Sequence, residues 1–364
     1  MAEKTQGPSL SLSGELPGRV TVPRPFKIAV VGATGVVGRE TLSILAERRF
    51  PVSEVRALAS ARSAGEKVPF GEEELIVEEA GPGSFDGVEV AFFAAGGATS
   101  KSLVPRAVEA GAVVIDKSSL FRMEAGVPLV VPEVNGGAIA AYQNRRIIAT
   151  PNCSTIQLVQ VLGPLHRHAG LKRVVVSTYQ AVSGAGRAGI DELDHQVRDL
   201  FNMREVRDTT VFGQRIAFNA LPCIPKGGFL DDGSTQEERK MVEETRKILE
   251  LPELRVGVTC VRVPVFTGHS ASVHVELERP LSPEEAREIL AGEPNVLVVD
   301  DPTQGLYPTP EQAAGQDYTL VGRIRHDASG ENGLALWNTS DNLRTGAALN
   351  AVRIAERLCA EYLA

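Results

Sequence analysis

A glycine-rich turn near the N-terminus restricts the folds open to this chain more than any other feature. The apolar, β-branched segment Phe26–Ala33 is typical of a buried parallel strand, and it leads into Gly32-Ala-Thr-Gly35-Val-Val-Gly38. Helical spacing of apolar residues then runs from Gly35 to Arg49. Glycines between a buried strand and a helix let backbone N–H groups approach a pyrophosphate at the positive helix end. Although the spacing is GxxGxxG rather than GxGxxG, its position predicts a dinucleotide-binding turn.

Strand and helix patterns alternate through the first 150 residues. Further strands are predicted at Val55–Ser60, Leu75–Glu78, Val88–Ala95, Val113–Asp116 and Arg146–Ala149, with a helix near Ser100–Ala110. This alternation predicts an α/β fold, a Rossmann-like doubly wound parallel sheet over residues 26–151. The first 25 residues lack an apolar core, so they are expected to form a disordered tail rather than a secretory signal.

From about Asn152 the pattern changes to strands with fewer intervening helices. Helices are predicted at Ser154–His168, Ile190–Phe201 and Gln236–Glu250, and strands at Arg173–Gln180, Leu254–Val265, Ser270–Leu277, Tyr318–Arg325 and Gly333–Asn338. This arrangement predicts a second, α+β domain over residues 152–342, built on a mixed or antiparallel sheet. A last helix, predicted near Leu343–Tyr362 within residues 343–364, is expected to pack back on the first domain.

The composition excludes several classes of protein. The chain has 364 residues, 43% of them hydrophobic, and a net charge of −8, so we expect two soluble domains and a small-molecule ligand rather than nucleic acid. No segment approaches the ~18 apolar residues of a membrane span. The four cysteines form no CxxC pair, which favours free thiols in a reducing compartment, the cytoplasm, over disulfides. The histidines are not spaced like metal ligands, so no metal site is predicted.

The end of the second strand bears on the choice of dinucleotide. NAD-preferring sites usually place an acidic residue there to bind the ribose 2′-hydroxyl. This chain instead has Ala59-Ser-Ala-Arg62-Ser63-Ala-Gly65, with no carboxylate. A guanidinium beside hydroxyl groups suits a 2′-phosphate, which favours NADP over NAD. An exposed loop that happens to contain one arginine is the alternative.

A cysteine lies where a predicted strand ends and a predicted helix begins, in Ile148-Ala-Thr-Pro-Asn152-Cys153-Ser-Thr-Ile-Gln157. The positive end of a helix and its free N–H groups favour a thiolate. A lone cysteine is more often a buried and inert side chain, so sequence context alone leaves both interpretations open. Cys223, Cys260 and Cys359 have no comparable setting and are expected to be structural.

Five segments, in order along the chain, resemble aspartate-semialdehyde dehydrogenase. They are residues 32–38 quoted above, Pro151-Asn-Cys-Ser-Thr155, Gln180-Ala-Val-Ser-Gly-Ala-Gly186, Arg262-Val-Pro-Val-Phe-Thr-Gly-His269 and Asp341-Asn-Leu-Arg-Thr-Gly-Ala347. The likeness extends from about Phe26 to the C-terminus. It implies NADPH-dependent reductive dephosphorylation of L-4-aspartyl phosphate to L-aspartate 4-semialdehyde and phosphate, in the pathway to lysine, methionine and threonine. A homodimer or homotetramer is also a family expectation.

The resemblance also implies a role for individual residues. Cys153 would form the acyl thioester, His269 would be the general acid/base, and Gln180 would orient the substrate or acyl intermediate. The implied substrate contacts are Arg262 for the α-carboxylate, Glu237 for the α-ammonium, and Lys240, Arg122 and Asn152 for the phosphate. The implied cofactor contacts are Gly32, Thr34, Gly35, Val36, Val37, Arg62, Ser63, Ser183, Gly184 and Asn342.

These residues also allow interpretations other than aspartate-semialdehyde dehydrogenase. Without the resemblance, Glu237-Glu-Arg-Lys240 would be an ordinary solvated charge cluster, and His269 a surface or core histidine. N-acetyl-glutamyl-phosphate reductase shares the general plan, but an acetylated amine offers no cation for Glu237. Glyceraldehyde-3-phosphate dehydrogenase also pairs cysteine with histidine, but its Ser-Cys-Thr-Thr-Asn-Cys signature is absent. A rival of another class is a catalytically silent dinucleotide-binding scaffold or a redox sensor.

Overall fold

The computed structural model describes residues 19–224 and 228–364. Most of the segment predicted to be a disordered tail, residues 1–18, lies outside the described residues. In the part that is described, the Arg24 guanidinium lies 3.8 Å from the centre of the Phe26 ring and donates to Glu89 at 2.8 Å. Arg24 also donates to the Leu363 carbonyl at 3.1 Å, so the chain entering the first strand contacts the C-terminus.

The first half of the chain forms a parallel sheet with helices. Its elements are β1 (Phe26–Val31), α1 (Val36–Glu47), β2 (Val52–Ala59), β3 (Lys67–Phe70), β4 (Glu73–Ile76), β5 (Glu78–Glu79), β6 (Val90–Phe93), α2 (Gly97–Glu109), β7 (Val113–Asp116), α3 (Pro132–Asn135) and β8 (Ile147–Ala149). Six strands share one sheet in the order β5-β2-β1-β6-β7-β8, and all neighbours pair in parallel. The predicted Rossmann-like sheet is confirmed.

The apolar sequences of the central strands explain their place in this sheet. β6 and β7 are buried along their whole length, and β1 is buried at all but one residue, as expected of strands covered on both faces. Parallel pairing brings the carboxyl ends of these strands to one edge. That edge receives the glycine-rich turn after β1 and the segments after β6, β7 and β8.

The second half forms another six-stranded sheet. Its elements are α4 (Cys153–Ala169), β9 (Leu171–Gln180), α5 (Arg187–Phe201), α6 (Gln236–Leu249), β10 (Arg255–Arg262), β11 (His269–Leu277), α7 (Pro283–Ala291), β12 (Val296–Val298), α8 (Pro310–Ala313), β13 (Thr319–His326), β14 (Gly333–Ser340) and α9 (Leu349–Glu361). The strand order is β10-β9-β11-β14-β13-β12, with parallel pairs at the two edges and antiparallel pairs between them. The predicted mixed sheet is confirmed.

The two faces of this second sheet differ. One face, with Val174, Val176 and Val273, is buried in a core that includes α4 and continues to the first sheet. The opposite face carries Tyr179, which is 39% exposed, and Trp337, whose ring centre lies 5.2 Å from that of Tyr179. No helix of the described chain is long and apolar enough to cross a bilayer.

The last helix packs against the first sheet. Ile354 and Leu358 of α9 share a buried cluster with β1 and α1, and Glu356 accepts from the buried Arg48 side chain at 2.8 Å. The helix begins later than the predicted start at Leu343, because residues 344–348 form a π-helical turn. Such turns often occur at functional sites, and this one packs beside Cys153.

Candidate active site

One cavity of about 260 Å³ gathers side chains from both sheets and from α6. It contains all eight residues implied to be catalytic or substrate-binding, and Gly184 as well. The predicted residues that line it are Cys153, His269, Gln180, Arg262, Glu237, Lys240, Arg122, Asn152 and Gly184. These residues are spread over more than 140 positions of sequence, so the topology rather than local spacing brings them together.

The cysteine lies at the first turn of α4, directly after β8. Asn152 is the helix N-cap, and its side-chain oxygen accepts from the Ser154 N–H at 2.9 Å. The Asn152 side-chain amide donates to Glu237 at 2.7 Å, and its backbone N–H donates to Glu244 at 2.7 Å. Because Asn152 is the cap, the helix begins at Cys153, one residue before the predicted start. The polar groups of Asn152 therefore fix the orientation of the helical turn that carries the Cys153 sulfur.

The structure corrects one expectation about this cysteine. The helix start was expected to favour the thiolate, but burial raises the pKa of the Cys153 thiol, and the nearby Glu237 carboxylate raises it further. Lys117, Arg262 and Arg122 act in the opposite direction and lower this pKa. Desolvation of a charged sulfur outweighs the local attraction. Burial thus disfavours the thiolate of Cys153 in the free pocket, and the three cations favour it.

His269, the first residue of β11, is 1% exposed and lines the same cavity. Burial lowers the pKa of the imidazole well below its ordinary value, and the cations Arg262 and Lys117 lower it as well. Its Nδ1 accepts the Ala181 backbone N–H at 3.0 Å. A neutral ring that accepts at Nδ1 carries its proton on Nε2. His269 thus faces the cavity as a hydrogen-bond donor.

Gly184 marks the point where two of these side chains converge. A Cβ at this glycine would lie 2.9 Å from Arg262 Nη1 and 3.2 Å from His269 Nε2. Arg262, at the end of β10, is 5% exposed and donates to the Ala181 carbonyl at 2.5 Å. Its place opposite Gln180 follows from the parallel register of β10 and β9. The glycine leaves the room that the guanidinium and imidazole occupy.

Gln180 ends β9 and is 1% exposed. Its side-chain amide nitrogen donates a short hydrogen bond to the Ser154 hydroxyl. Within the described residues its carbonyl oxygen Oε1 is buried without a partner. A buried acceptor that lacks a partner and lines a cavity is suited to a ligand hydrogen bond.

Helix α6 supplies the charged wall of the cavity. Lys240 donates to Glu237 at 3.1 Å, and the two side chains are 23% and 13% exposed. Although burial opposes ionisation, Lys240 and Asn152 hold the pKa of Glu237 below its ordinary value. The pair is therefore part of the site and not a solvated charge cluster, the interpretation that sequence alone favours.

Two further charged residues lie at or beside this cavity and were not predicted from the sequence. Lys117, directly after β7, lines the cavity together with Ser118 and Ser119. Glu244, on α6, is 1% exposed and accepts from Arg122 at 2.8 Å. The position of Lys117 at the carboxyl end of a predicted central strand was a usable signal, because ligands of such sheets bind there.

The glycine-rich turn has the geometry that a pyrophosphate needs. Gly32 has a positive φ of 86°, and a Cβ at Gly38 would lie 2.9 Å from the Ala33 Cα and clash with the Gly32 carbonyl. Gly35 is the N-cap of α1, no side chain caps it, and Val36 and Val37 form the first turn. A close-packed turn with an uncapped helix start suits an anionic dinucleotide group.

The predicted cofactor residues fall into two groups around this turn. Arg62 is exposed in a short 3₁₀ turn after β2, beside Ser63, whose hydroxyl lies 3.5 Å from the Thr34 hydroxyl. Ser183 and Asn342 are instead buried and bonded to each other at 2.9 Å. Asn342 also accepts the N–H of Gly268, the neighbour of His269, at 2.9 Å. Their polar groups thus fasten the loops that hold the imidazole.

The cavity wall also includes Ala94 and Ala95, whose backbone lies next to Gly32 of the glycine-rich turn. Gly96 and Gly97, at the uncapped start of α2, line the cavity, and a Cβ at either would meet nothing within 4 Å. The cavity therefore opens toward the same sheet edge as the glycine-rich turn. A dinucleotide that binds in the usual position would have to cover both of these neighbouring regions.

Two protein families match most of the chain. The semialdehyde dehydrogenase NAD binding domain matches residues 27–142, and the semialdehyde dehydrogenase dimerisation domain matches residues 162–345. An aspartate-semialdehyde dehydrogenase of Aquifex aeolicus is 50% identical over 339 residues, which cover 93% of this chain and 99% of that relative.

Solved structures resemble the chain over the same length. Aspartate semialdehyde dehydrogenase II from Vibrio cholerae, complexed with ASA, has a TM-score of 0.90 and 46% identity, covering 93% of this chain and 99% of that one. Aspartate semialdehyde dehydrogenase from Candida albicans, solved with NADP, has a TM-score of 0.73 and 28% identity, covering 93% and 100%. Both the fold and the order of the elements are therefore shared with these proteins.

Proposed function

This chain belongs to the aspartate-semialdehyde dehydrogenase family, and on that premise we propose how its residues divide the work of the reaction. The reaction is NADPH-dependent reductive dephosphorylation of L-4-aspartyl phosphate to L-aspartate 4-semialdehyde and phosphate. The enzyme acts in the aspartate pathway toward lysine, methionine and threonine. The observation that carries the assignment of roles is the convergence of Cys153, His269, Arg262 and Glu237 in one cavity.

The charged walls of the cavity match the two ends of the substrate. Arg262 would bind the α-carboxylate, because a planar guanidinium meets a carboxylate with two parallel hydrogen bonds. Glu237 would bind the α-ammonium. Lys240, Arg122 and Asn152 would bind the phosphate, and all three line the cavity around Cys153.

Cys153 would attack the acyl carbon and give a thioester, while the acyl–oxygen bond breaks and the thiol proton leaves with the released phosphate as hydrogen phosphate. His269 would be the acid/base group and would work through Nε2, since Nδ1 accepts from Ala181. In this tautomer Nε2–H donates to negative charge developing on sulfur or on the carbonyl oxygen. Taking the thiol proton at Nε2 would need the other tautomer, which the Ala181 N–H opposes. Gln180 would hold the substrate or acyl group through its unpartnered carbonyl oxygen.

NADP fits the glycine-rich turn and the groups around it. Gly32, Gly35, Val36 and Val37 would receive the pyrophosphate, and Thr34, Arg62 and Ser63 the 2′-phosphate end. Gly184, with the buried Ser183–Asn342 pair behind it, would border the nicotinamide end beside His269. When bound, NADPH supplies the hydride that reduces the thioester.

A spectrophotometric assay tests this function directly. Aspartate semialdehyde, phosphate and NADP should give NADPH, whereas N-acetylglutamate semialdehyde should give at most about 1% of that kcat/KM, because Glu237 would face an amide. Equal rates with both aldehydes would contradict the substrate assignment. Oxidation of Cys153 without turnover of either aldehyde would identify a redox sensor instead.

We further propose that the chain forms a homodimer through the exposed face of its second sheet. The match to a dimerisation domain supports an association of like chains, and Tyr179 and Trp337 place two neighbouring aromatic groups on the partly exposed face of the sheet. Tyr179→Glu should shift the sedimentation coefficient from that of a dimer toward that of a monomer. A tetramer in the unaltered protein would require an additional contact.

The division into domains is also a proposal. Residues 26–151, together with 343–364, would bind the cofactor, and residues 152–342 would form the catalytic and dimerisation domain. The apolar cluster that α9 shares with β1 and α1 supports the return of the C-terminus to the first domain.

A further inference from the structure

One face of α6 carries four charged residues of alternating sign. Glu237, Lys240, Glu244 and Lys247 are spaced by three, four and three positions, so they form a single stripe along the helix. The first two belong to the substrate wall described above. Glu244 is 1% exposed, whereas its neighbour Glu243 lies on the exposed side of the helix.

Glu244 connects two parts of the site. Its Oε1 accepts from Arg122 Nη1 at 2.8 Å, and its Oε2 accepts from the Asn152 backbone N–H at 2.7 Å. Arg122 belongs to the segment after β7, and Asn152 immediately precedes Cys153. One carboxylate therefore joins a cation of the cavity to the peptide that carries the nucleophile.

The remaining contacts of Arg122 limit how it can meet a ligand. Its Nη2 donates to the Lys117 carbonyl at 2.7 Å, and within the described residues its Nε is buried without a partner. Each terminal nitrogen keeps a second N–H, so these groups and the buried Nε–H are the donors of Arg122 left to pair. Arg122 is 7% exposed and lines the cavity, so a buried donor without a partner there invites an acceptor such as a phosphate oxygen.

Lys247 extends the same connection by one helical turn. Its ammonium donates to the carbonyls of Arg122 and Val127 at 2.6 and 3.0 Å. The backbone and the side chain of Arg122 are thus both fastened to α6. The helix that presents Glu237 and Lys240 to the substrate also sets the position of this arginine.

We propose that Glu244 is a positioning residue that sets the affinity of the cavity for phosphate by aiming Arg122 and fixing the turn before Cys153. The inference rests on the proposed function, since it assigns Arg122 to the phosphate. Glu244 itself is buried behind Arg122 and does not line the cavity. It acts through a buried guanidinium, which a neutral side chain would leave unpaired at a high cost.

The test uses binding of inorganic phosphate to the full-length protein, measured by calorimetry, and so does not depend on turnover. Glu244→Gln keeps an acceptor for Asn152 but removes the charge that holds Arg122. We expect the Kd for phosphate to rise about tenfold or more, with the NADP Kd unchanged. Glu243→Gln, at the exposed neighbouring acid, is the matched control and should leave both Kd values unchanged. Glu244→Asp keeps the charge, so it should raise the phosphate Kd less than Glu244→Gln does.

A double-mutant cycle separates positioning from general damage to the fold. If Glu244 acts through Arg122, Glu244→Gln should have little further effect on the phosphate Kd once Arg122 is replaced by Met. Fully additive losses, an unchanged phosphate Kd in Glu244→Gln, or no phosphate binding by the unaltered protein would each overturn the proposal. If Glu244→Gln unfolds, the cycle is run with Glu244→Asp. Failure of the proposed function would instead appear as normal phosphate binding without oxidation of aspartate semialdehyde.

Discussion

The two strand-to-helix junctions after β1 and after β8 lie in the same sheet but use their helix starts in opposite ways. At the first, Gly35 caps α1 without a side chain, and the turn offers backbone N–H groups. At the second, Asn152 caps α4 with its side chain and gives its own N–H to Glu244. The first junction is open for an anionic ligand, whereas the second is occupied by the protein's own groups.

This difference shows why the same backbone motif does not impose one chemistry. A helix start attracts negative charge where its N–H groups are free, but at α4 burial of the sulfur outweighs that attraction and raises the pKa of Cys153. The second junction therefore holds the sulfur in position, and the nearby cations Lys117, Arg262 and Arg122 favour its ionisation.

The largest effect should follow from removing the sulfur at the second junction. Cys153→Ala should lower kcat by about 10⁴-fold or more, since no thioester can form. NADPH binding, measured by fluorescence titration, should stay within twofold because the first junction is untouched. Activity within tenfold of the unaltered enzyme would contradict the covalent mechanism.

Two glycine substitutions test whether the two junctions act independently of each other. Gly38→Ala forces a Cβ into the backbone of the glycine-rich turn and should raise the NADPH Kd by about 100-fold or more, with a loss of stability of about 2 kcal/mol. Gly346→Ala places a Cβ 3.1 Å from the Cys153 Cβ and should lower kcat about tenfold. In that second variant the NADPH Kd should not change. Equal losses of NADPH affinity in both would show that the junctions are not independent.

The elements of this fold could be predicted wherever the sequence pattern is local. The strand before the glycine-rich turn, the helix after it and the position of Cys153 at a helix start all follow from apolar periodicity and glycine placement. The grouping of Cys153 with Arg262 and His269 came from the resemblance of ordered motifs, because residues on different strands share no local spacing.

The features of the site that could not be predicted from the sequence are those that depend on tertiary burial. The charges of α6 could be placed on one helix face, but nothing local shows that this face meets Arg122 and the start of α4. For the same reason the sequence indicated neither the contacts of Glu244 nor the raised pKa of Cys153. Both depend on how much water the neighbouring chain excludes, which is a property of the packed site.

Arg62 offers a smaller change at the edge of the first junction. Arg62→Ala should lower the preference for NADP over NAD, measured as the ratio of kcat/KM values, by about 10-fold or more, since one charge-assisted contact to the 2′-phosphate is lost. Arg204→Ala, another exposed arginine, is the control. An unchanged ratio would mean that Arg62 does not contact the cofactor phosphate.

The smallest predicted change is a shift in the ionisation of Cys153, measured as the pH midpoint of its alkylation by iodoacetamide in the free enzyme. This midpoint should lie above that of an ordinary thiol, because burial raises the pKa. Glu237→Gln removes a negative charge that disfavours the thiolate, so the midpoint should fall. Lys117→Met removes a positive charge that favours it, so the midpoint should rise. Lys101→Met, on the exposed side of α2, should leave the midpoint in place. A midpoint below the ordinary thiol value would mean that the helix start prevails over burial after all, and the two junctions would then differ less than the structure indicates.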